Sequence, residues 1–450
     1  MRIRFLLALA LAGAVALPAL AGPLEDLLKP ADHESLGLKI AKYFEAKQAN
    51  KDIDKAKEAI SKEIEGLRKK AKGREPLALC GDLGKALWQS FDYKNAKGIA
   101  PGKIKSVTFK EPYYGDKAQL TYAIWVPTKY DPRRPYTLIL CIPEKGSKPE
   151  QHIGEKWTDK DTRENALIVA VPMPEDVKQW TETGTSQQPG GFSNLMLTLK
   201  QIRATYAIDY DRVYVAGRGE GVSAALALAA RAPDRFAGVV GRSGDLDATG
   251  PGVENFKNLP TFFGGAGANA TAFGEKCTKA EYGNCTIKAE ASDADVWTWM
   301  RDHPRVANPL EVVLYPGRPT PNKAYWVEVP QSDYKEPEYV KAKVDKAANL
   351  ITIDASDGIT KVKLYLNDDL VDLDKEVKVI CNGAEHVDKL PRNLWATMDW
   401  MYGAINEPGR IFTTSRDYDV LPKPKPKEEK KDEKKEDKKE EKKDEKKDPK

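Results

Sequence analysis

Residues 212–244, RVYVAGRGEGVSAALALAARAPDRFAGVVGRSG, decide how this chain folds. RVYVAG is a short apolar run suited to a buried parallel strand, GVSAALALAARAP is an alanine-rich helix, and FAGVVGRSG is the next strand. The first strand and the helix meet at a turn framed by Gly217 and Gly221, with Gly219 at its centre. Glycines at a strand-to-helix turn raise the question of a phosphate loop. The P-loop pattern G-x-x-x-x-G-K-[ST] is not matched, and G-x-G-x-x-G fails because the next glycine falls two residues on. No cofactor is expected from this turn.

The same alternation extends on both sides. IKSVTFK and AQLTYAIWVP alternate like strands, and YTLILCIP and ALIVAVPMP are apolar runs of buried-strand length. GGFSNLMLTLKQIRATYAI reads as a helix, LPTFFGGAG and LEVVLYPG as further strands, and ASDADVWTWMRDHP as a helix between those two. Strands alternating with helices imply an α/β domain, here residues 99–325, built on a mostly parallel sheet flanked by helices. Residues 22–98 form an N-terminal helical segment, with apolar residues at three- and four-residue spacing among many charges. Residues 326–420 read as a small β-rich attachment, closed by the helix RNLWATMDWMYGA.

The chain begins MRIRFLLALALAGAVALPALAG: two arginines, a short apolar run, and Ala19-Leu20-Ala21 as a small-x-small cleavage site. This is the pattern of a secretory signal peptide over residues 1–21, cleaved after Ala21; a retained N-terminal anchor is the alternative. No later run is long and apolar enough to span a bilayer. The protein is therefore expected to be secreted or periplasmic, in a compartment that permits disulfides. Cys277 and Cys285, in CTKAEYGNC, are spaced for a local disulfide, which leaves Cys80, Cys141 and Cys381 without an assigned partner. Cys141, inside YTLILCIP, reads as a small buried hydrophobe. No CxxC pair or His/Cys cluster has zinc spacing.

Of the 450 residues, 72 are Lys or Arg and 68 Asp or Glu, a net charge of +4 that points to no charged partner. Residues 421–450 are nearly all Lys, Glu and Asp in short mixed blocks. Such a tail has no apolar surface to offset its ordering entropy and lacks the concentrated positive charge that nucleic acid requires.

Residues 104–325 resemble the α/β-hydrolase superfamily, most closely secreted bacterial esterases of the polyhydroxybutyrate-depolymerase and feruloyl-esterase kind. IDYDRVYVAGRGEGVSAALALAARAPDRFAGVVGRSG carries the resemblance, with an Asp-Arg before the strand, the elbow, and APDRFAGVV entering the next strand. The resemblance implies a nucleophile elbow G-x-S-x-G, which here reads Gly217-Arg218-Gly219-Glu220-Gly221. Glycine has no side chain with which to form an acyl intermediate. The family's oxyanion segment corresponds to LILCIPEKGSK, where Pro143 brings no N–H. The acid position after LPTFFGGAG falls on Ala268 and Asn269, and the base position after LEVVLYPG holds no histidine. The four histidines, His33, His152, His303 and His386, read as structural or solvated.

The expectation is thus an inactive esterase relative that binds an unidentified ligand in the former active-site cleft. Arg218 and Glu220 would form a polar or salt-linked floor. Carbohydrate or cell-envelope polymers are the ligands suggested by analogy. The alternatives are an esterase with a different nucleophile, Ser243 or Ser223, and a structural envelope protein. Deleting residues 422–450 is expected to leave the melting temperature nearly unchanged; a fall of several degrees in a thermal melt would show that the tail docks on the body.

Overall fold

The computed structural model describes residues 27–94, 98–111, 119–185, 187–247, 252–265, 267–317, 321–330 and 337–423. Residues 1–26 and the tail beyond residue 423 lie outside this set. Lys423 pairs with Asp354 at 2.6 Å and donates to the Tyr339 hydroxyl at 2.7 Å. An exposed pair of this kind contributes at most about 1 kcal/mol.

The largest sheet has eight strands among the described residues: β1 (Ile104–Lys110), β2 (Gln119–Trp125), β3 (Tyr136–Ile142), β4 (Ala166–Ala170), β5 (Ile208–Arg218), β6 (Gly238–Arg242), β7 (Thr261–Gly264) and β8 (Cys285–Lys288). Their order is β1-β2-β4-β3-β5-β6-β7-β8. β1 and β2 pair antiparallel with each other, β2 pairs antiparallel with β4, and the remaining pairs are parallel. Every residue of β3 and of β4 is buried, because both faces of the central strands are covered, whereas β1 alternates towards solvent. This is the mostly parallel, helix-flanked sheet expected from the sequence.

Helices α1 (Pro30–Ala49), α2 (Ile53–Lys70) and α3 (Cys80–Gln89) precede the sheet. On one face of the sheet lie α4 (Pro149–Lys156), α5 (Lys160–Asn165) and, after β8, α9 (Asp293–Asp302); on the other lie α6 (Gly191–Thr205), α7 (Gly221–Ala230) and α8 (Ala268–Lys279). The last helix, α10 (Leu394–Tyr402), packs Met398 and Met401 into the core of the N-terminal helices, against residues such as Leu36, Ile40 and Leu83. The two ends of the folded chain thus share one apolar cluster.

One strand falls in a different place from that expected. LEVVLYPG forms Glu311–Leu314, which pairs antiparallel with Val340–Asp345 instead of extending the large sheet. With Leu350–Ala355, Glu376–Cys381 and Ala384–Lys389 these make a five-stranded sheet. Lys323–Ala324, Val327–Glu328, Lys361–Leu366 and Thr414–Asp419 form a four-stranded one. Both close on a shared core around the fully buried Trp326. The eighth strand of the large sheet is β8, in the stretch read as a disulfide-closed loop.

A buried charge network joins these parts. Glu407, beyond α10, accepts from Arg305 and Arg203, and from Arg235 at 3.1 Å. Arg305 also holds Asp211 of β5 at 2.7 Å and the carbonyl of Asp234 at 2.7 Å; Arg410 pairs with the Asp234 carboxylate at 2.8 Å. Burial alone would push the Glu407 carboxyl up. The surrounding guanidiniums, Arg305 foremost, more than reverse this and hold it well below the usual carboxylate range.

Lys323 sits beside this network, with its ammonium over the rings of Tyr365 and Phe412 at 4.8 and 5.7 Å. Its Nζ is shut off from solvent and has no hydrogen-bond partner among the described residues. Burial, and then Arg410 and Arg235, push the amine down to about 7 against the pull of Asp234 and Glu328. The unfolded chain holds this proton up to its ordinary value of 10.5. A depressed base of this kind makes the folded state lose stability as pH falls from 10.5 towards 7, and the penalty is complete below 7. Lys323→Met is therefore expected to stabilise the protein at pH 6 and to give a much smaller gain near pH 10. Urea denaturation midpoints of both proteins at the two pH values check this, and an equal gain at both would refute it.

Candidate functional site

The elbow turn has kept its backbone form. β5 ends at Arg218, and α7 starts at Gly221. A Cβ on Gly217 would lie 2.1 Å from the Gly221 carbonyl oxygen, and one on Gly221 would lie 2.4 Å from that of Ile142, so strand, turn and helix close only on glycines. Gly219 has φ +55°, in the left-handed region where side chains are strained. Its carbonyl accepts from Val222 at 3.1 Å, which starts the helix.

The space beside Gly219 is tight. A Cβ on Gly219 would lie 3.0 Å from Cβ of Glu144 and 3.5 Å from its Oε2. Glu144 comes two residues after β3, in the oxyanion segment, next to the N–H-free Pro143. The next amide, Lys145 N–H, points 3.4 Å from Glu220 Oε2. Two carboxylates, of Glu144 and Glu220, therefore stand close to the turn. Sequence reasoning passed over Glu144, although an acid directly after a proline in the oxyanion segment was a signal.

The acid position has become a helix start. Ala268 and Asn269 open α8, and the carboxylate of Asp245, from the loop after β6, accepts two N–H groups of its first turn, of Asn269 at 3.1 Å and of Ala270 at 2.9 Å. Asn269 Nδ2 donates back to the Leu246 carbonyl at 2.7 Å. Burial raises the Asp245 carboxyl somewhat, and the N–H groups of Ala270, Asn269 and Leu246 bring it below the ordinary value. A carboxylate is thus present near the expected place, but it caps a helix.

The strand assignment moves the base position. It follows β8, in Ala289–Ser292, instead of LEVVLYPG, and those residues also include no histidine. His152, on α4, is buried on the opposite face of the sheet, and burial, then Arg218, Lys156 and Arg242, push it down to about 4. His33 contacts Asp82 at 2.7 Å between α1 and α3, His303 stacks on Trp299, and His386 packs against the Tyr418 ring.

The fallback serines have other employment. Ser223 Oγ accepts the Asp247 N–H at 2.7 Å, holding the loop after β6 onto α7. Ser243 is exposed with φ +51°, and its amide donates to Gly264 at 3.0 Å. Neither hydroxyl has a histidine within hydrogen-bond reach among the described contacts. Arg218 and Glu220 do not pair with each other there either. Arg218 ends its strand in register with Arg242, whose guanidinium reaches Lys156 and Asp293 on the α4 side, while Glu220 turns towards Lys145. The salt-linked floor is therefore absent among the described contacts, because the turn at Gly219 sends the two side chains apart.

The expected disulfide is also absent. All five cysteines are free thiols. Cys277, in the last turn of α8, and Cys285, opening β8, are neighbours that share a hydrogen bond, which lowers the Cys285 thiol to about 7 and raises that of Cys277. The loop between them is held by the packing of α8 on β8 instead.

Beside the elbow lies a pocket of about 540 Å³. Its floor is Ser223, Ala224 and Ala227 of α7, its wall is Trp180, and Glu220 and Asp247 stand at its rim. Among the described residues no group of three or more His, Cys, Asp or Glu is placed to hold a metal ion. No helix there is long and apolar enough to cross a membrane.

No known protein family's sequence profile matches the chain, and no curated protein does. Solved structures similar to it include a thermostable esterase (20% identity, TM-score 0.36, 45% of this chain), of which this chain spans 64%. Others are a fluorophosphonate-binding serine hydrolase of Staphylococcus aureus (10%, TM-score 0.35, covering 45% of this chain and 97% of that one) and a ferulic acid esterase (12%, TM-score 0.37, 46% and 98%). These likenesses carry no activity over to this chain, and the fold stands on the strand order itself.

Restoring the nucleophile is expected to strain the turn. Gly219→Ser places a side chain at positive φ against Glu144, at a cost of about 1–2 kcal/mol. Adding Glu144→Gly should recover part of that loss. Chemical denaturation of the single and double variants measures both, and a Gly219→Ser protein as stable as wild type would refute the crowding.

Proposed function

We propose that this chain, an α/β-hydrolase fold, acts by binding and not by hydrolysis. What carries the reading is Gly219 at the nucleophile position, with Glu144 packed tightly against it. A serine hydroxyl is a weak nucleophile until a base removes its proton, and neither base position holds a histidine. In this reading residues 1–21 direct export and are removed after Ala21, and the protein works outside the cytoplasm.

The ligand would sit in the pocket beside the elbow. An apolar alanine floor rimmed by Glu220, Asp247, Lys178 and Arg231 suits a hydroxyl-rich ligand that hydrogen-bonds from its edge, as carbohydrate does. A carbohydrate or cell-envelope polymer is the ligand class proposed.

Two measurements test this. A fluorophosphonate probe and short p-nitrophenyl esters are expected to give neither labelling nor saturable turnover. Labelling that disappears in Ser243→Ala or Ser223→Ala would overturn the reading and identify the nucleophile. Co-sedimentation with insoluble polysaccharide or peptidoglycan is expected for wild type and lost in Ala227→Phe, which fills the pocket.

A further inference from the structure

A second pocket, of about 430 Å³, opens where three parts of the molecule meet, at the amino-terminal end of β5 and so at the opposite edge of the sheet from the elbow. Its walls are apolar: Phe44 of α1, Phe91 after α3, Met196 and Leu199 of α6, and Tyr402 of α10. Phe44 lies 5.7 Å from Tyr402 and 6.5 Å from Phe91, ring centre to ring centre. At its base are Arg203 and Arg235, the two arginines of the network that face outward, together with the Glu407 carboxylate they share.

That network is short of negative charge. Four guanidiniums, of Arg203, Arg235, Arg305 and Arg410, are set against three carboxylates, of Glu407, Asp211 and Asp234. It is short of acceptors too, since Nε and Nη1 of the buried Arg410 have no partner among the described residues. Glu407 already serves several of the arginines and cannot supply more. A buried cation without a counter-charge is costly, so the network favours an added anion. Only Arg203 and Arg235 can meet one from outside: their side chains are 15% and 19% exposed, against 0% for Arg305 and Arg410.

We infer that this pocket binds a small amphipathic monocarboxylate, its apolar tail lying between Phe44, Phe91, Met196 and Leu199 and its carboxylate on the guanidiniums of Arg203 and Arg235. Guanidinium groups match a carboxylate in two parallel hydrogen bonds, and the apolar walls exclude the water that would compete. A pocket of this size, mostly apolar with a few converging polar groups and placed at a junction of units, has the form of a small-molecule site. The ligand would bridge the N-terminal helices, the large sheet and α10.

The test is calorimetric titration of the full mature chain with decanoate, and with decanol and decyltrimethylammonium as neutral and cationic controls of equal chain length. Decanoate is expected to bind saturably, one per chain, at least about tenfold more tightly than either control. Ala204→Phe, at an exposed position of α6 lining the pocket, is expected to abolish binding while leaving the melting temperature of the unliganded protein in place. Met196→Trp serves as a second blocking variant if that one fails to fold. Decanoate binding no tighter than decanol, undiminished binding by a folded blocking variant, or no saturable binding below about 1 mM would each overturn the proposal.

Discussion

The carboxylate of Glu407 is the constraint on which the arrangement of the parts depends. It lies beyond α10, yet its partners come from α6, from the turn before β6, and from the segment after α9. A buried carboxylate is tolerable only when donors surround it, and here they come from three separate stretches of chain. The apolar contacts of α10 with the N-terminal helices are non-directional and could accept small slips. The guanidinium–carboxylate geometry cannot, so it sets where the end of the chain lies against the large sheet. Removing one member would leave the others charged and unpaired, which makes the network a condition of the docking rather than an ornament on it.

The same economy of buried charge explains the elbow. A hydrolytic site needs a bare nucleophile, an adjacent base and a set of donors for the oxyanion. Around the elbow the polar groups are tied into the resting fold: Glu144 against Gly219, Asp245 on the first amides of α8, Ser223 on the Asp247 amide. The strained glycine turn survives because Gly217 and Gly221 are needed for strand and helix to approach, whatever stands at the centre. The backbone of the elbow is thus a packing solution that does not depend on chemistry being done there.

The β-rich attachment takes part in this too. Because Glu311–Leu314 pairs with Val340–Asp345, the segment after α9 leaves the large sheet and carries Arg305 to Asp211 and Glu407 at the junction. Lys323, on the first strand of the four-stranded sheet, is drawn under the Tyr365 and Phe412 rings by the same packing. One topological choice, the sheet to which a single strand belongs, therefore decides the charges at the interface.

By itself the sequence determined what is local. The alternation of apolar runs specified the parallel sheet, Gly217, Gly219 and Gly221 specified the turn, and the missing serine at 219 needed no coordinates to be seen. These follow from periodicity and backbone sterics within a few residues. Only the tertiary structure decided that LEVVLYPG leaves the large sheet and that β8 instead supplies its eighth strand. Short apolar strands look alike in sequence, and their partners are chosen by long-range pairing and burial. Cys277 and Cys285 stand as neighbouring unbridged thiols here, and their spacing along the chain did not specify whether they bond. Glu407 among its arginines was invisible for the same reason: it is an ordinary acid until residues far away in the chain are folded against it.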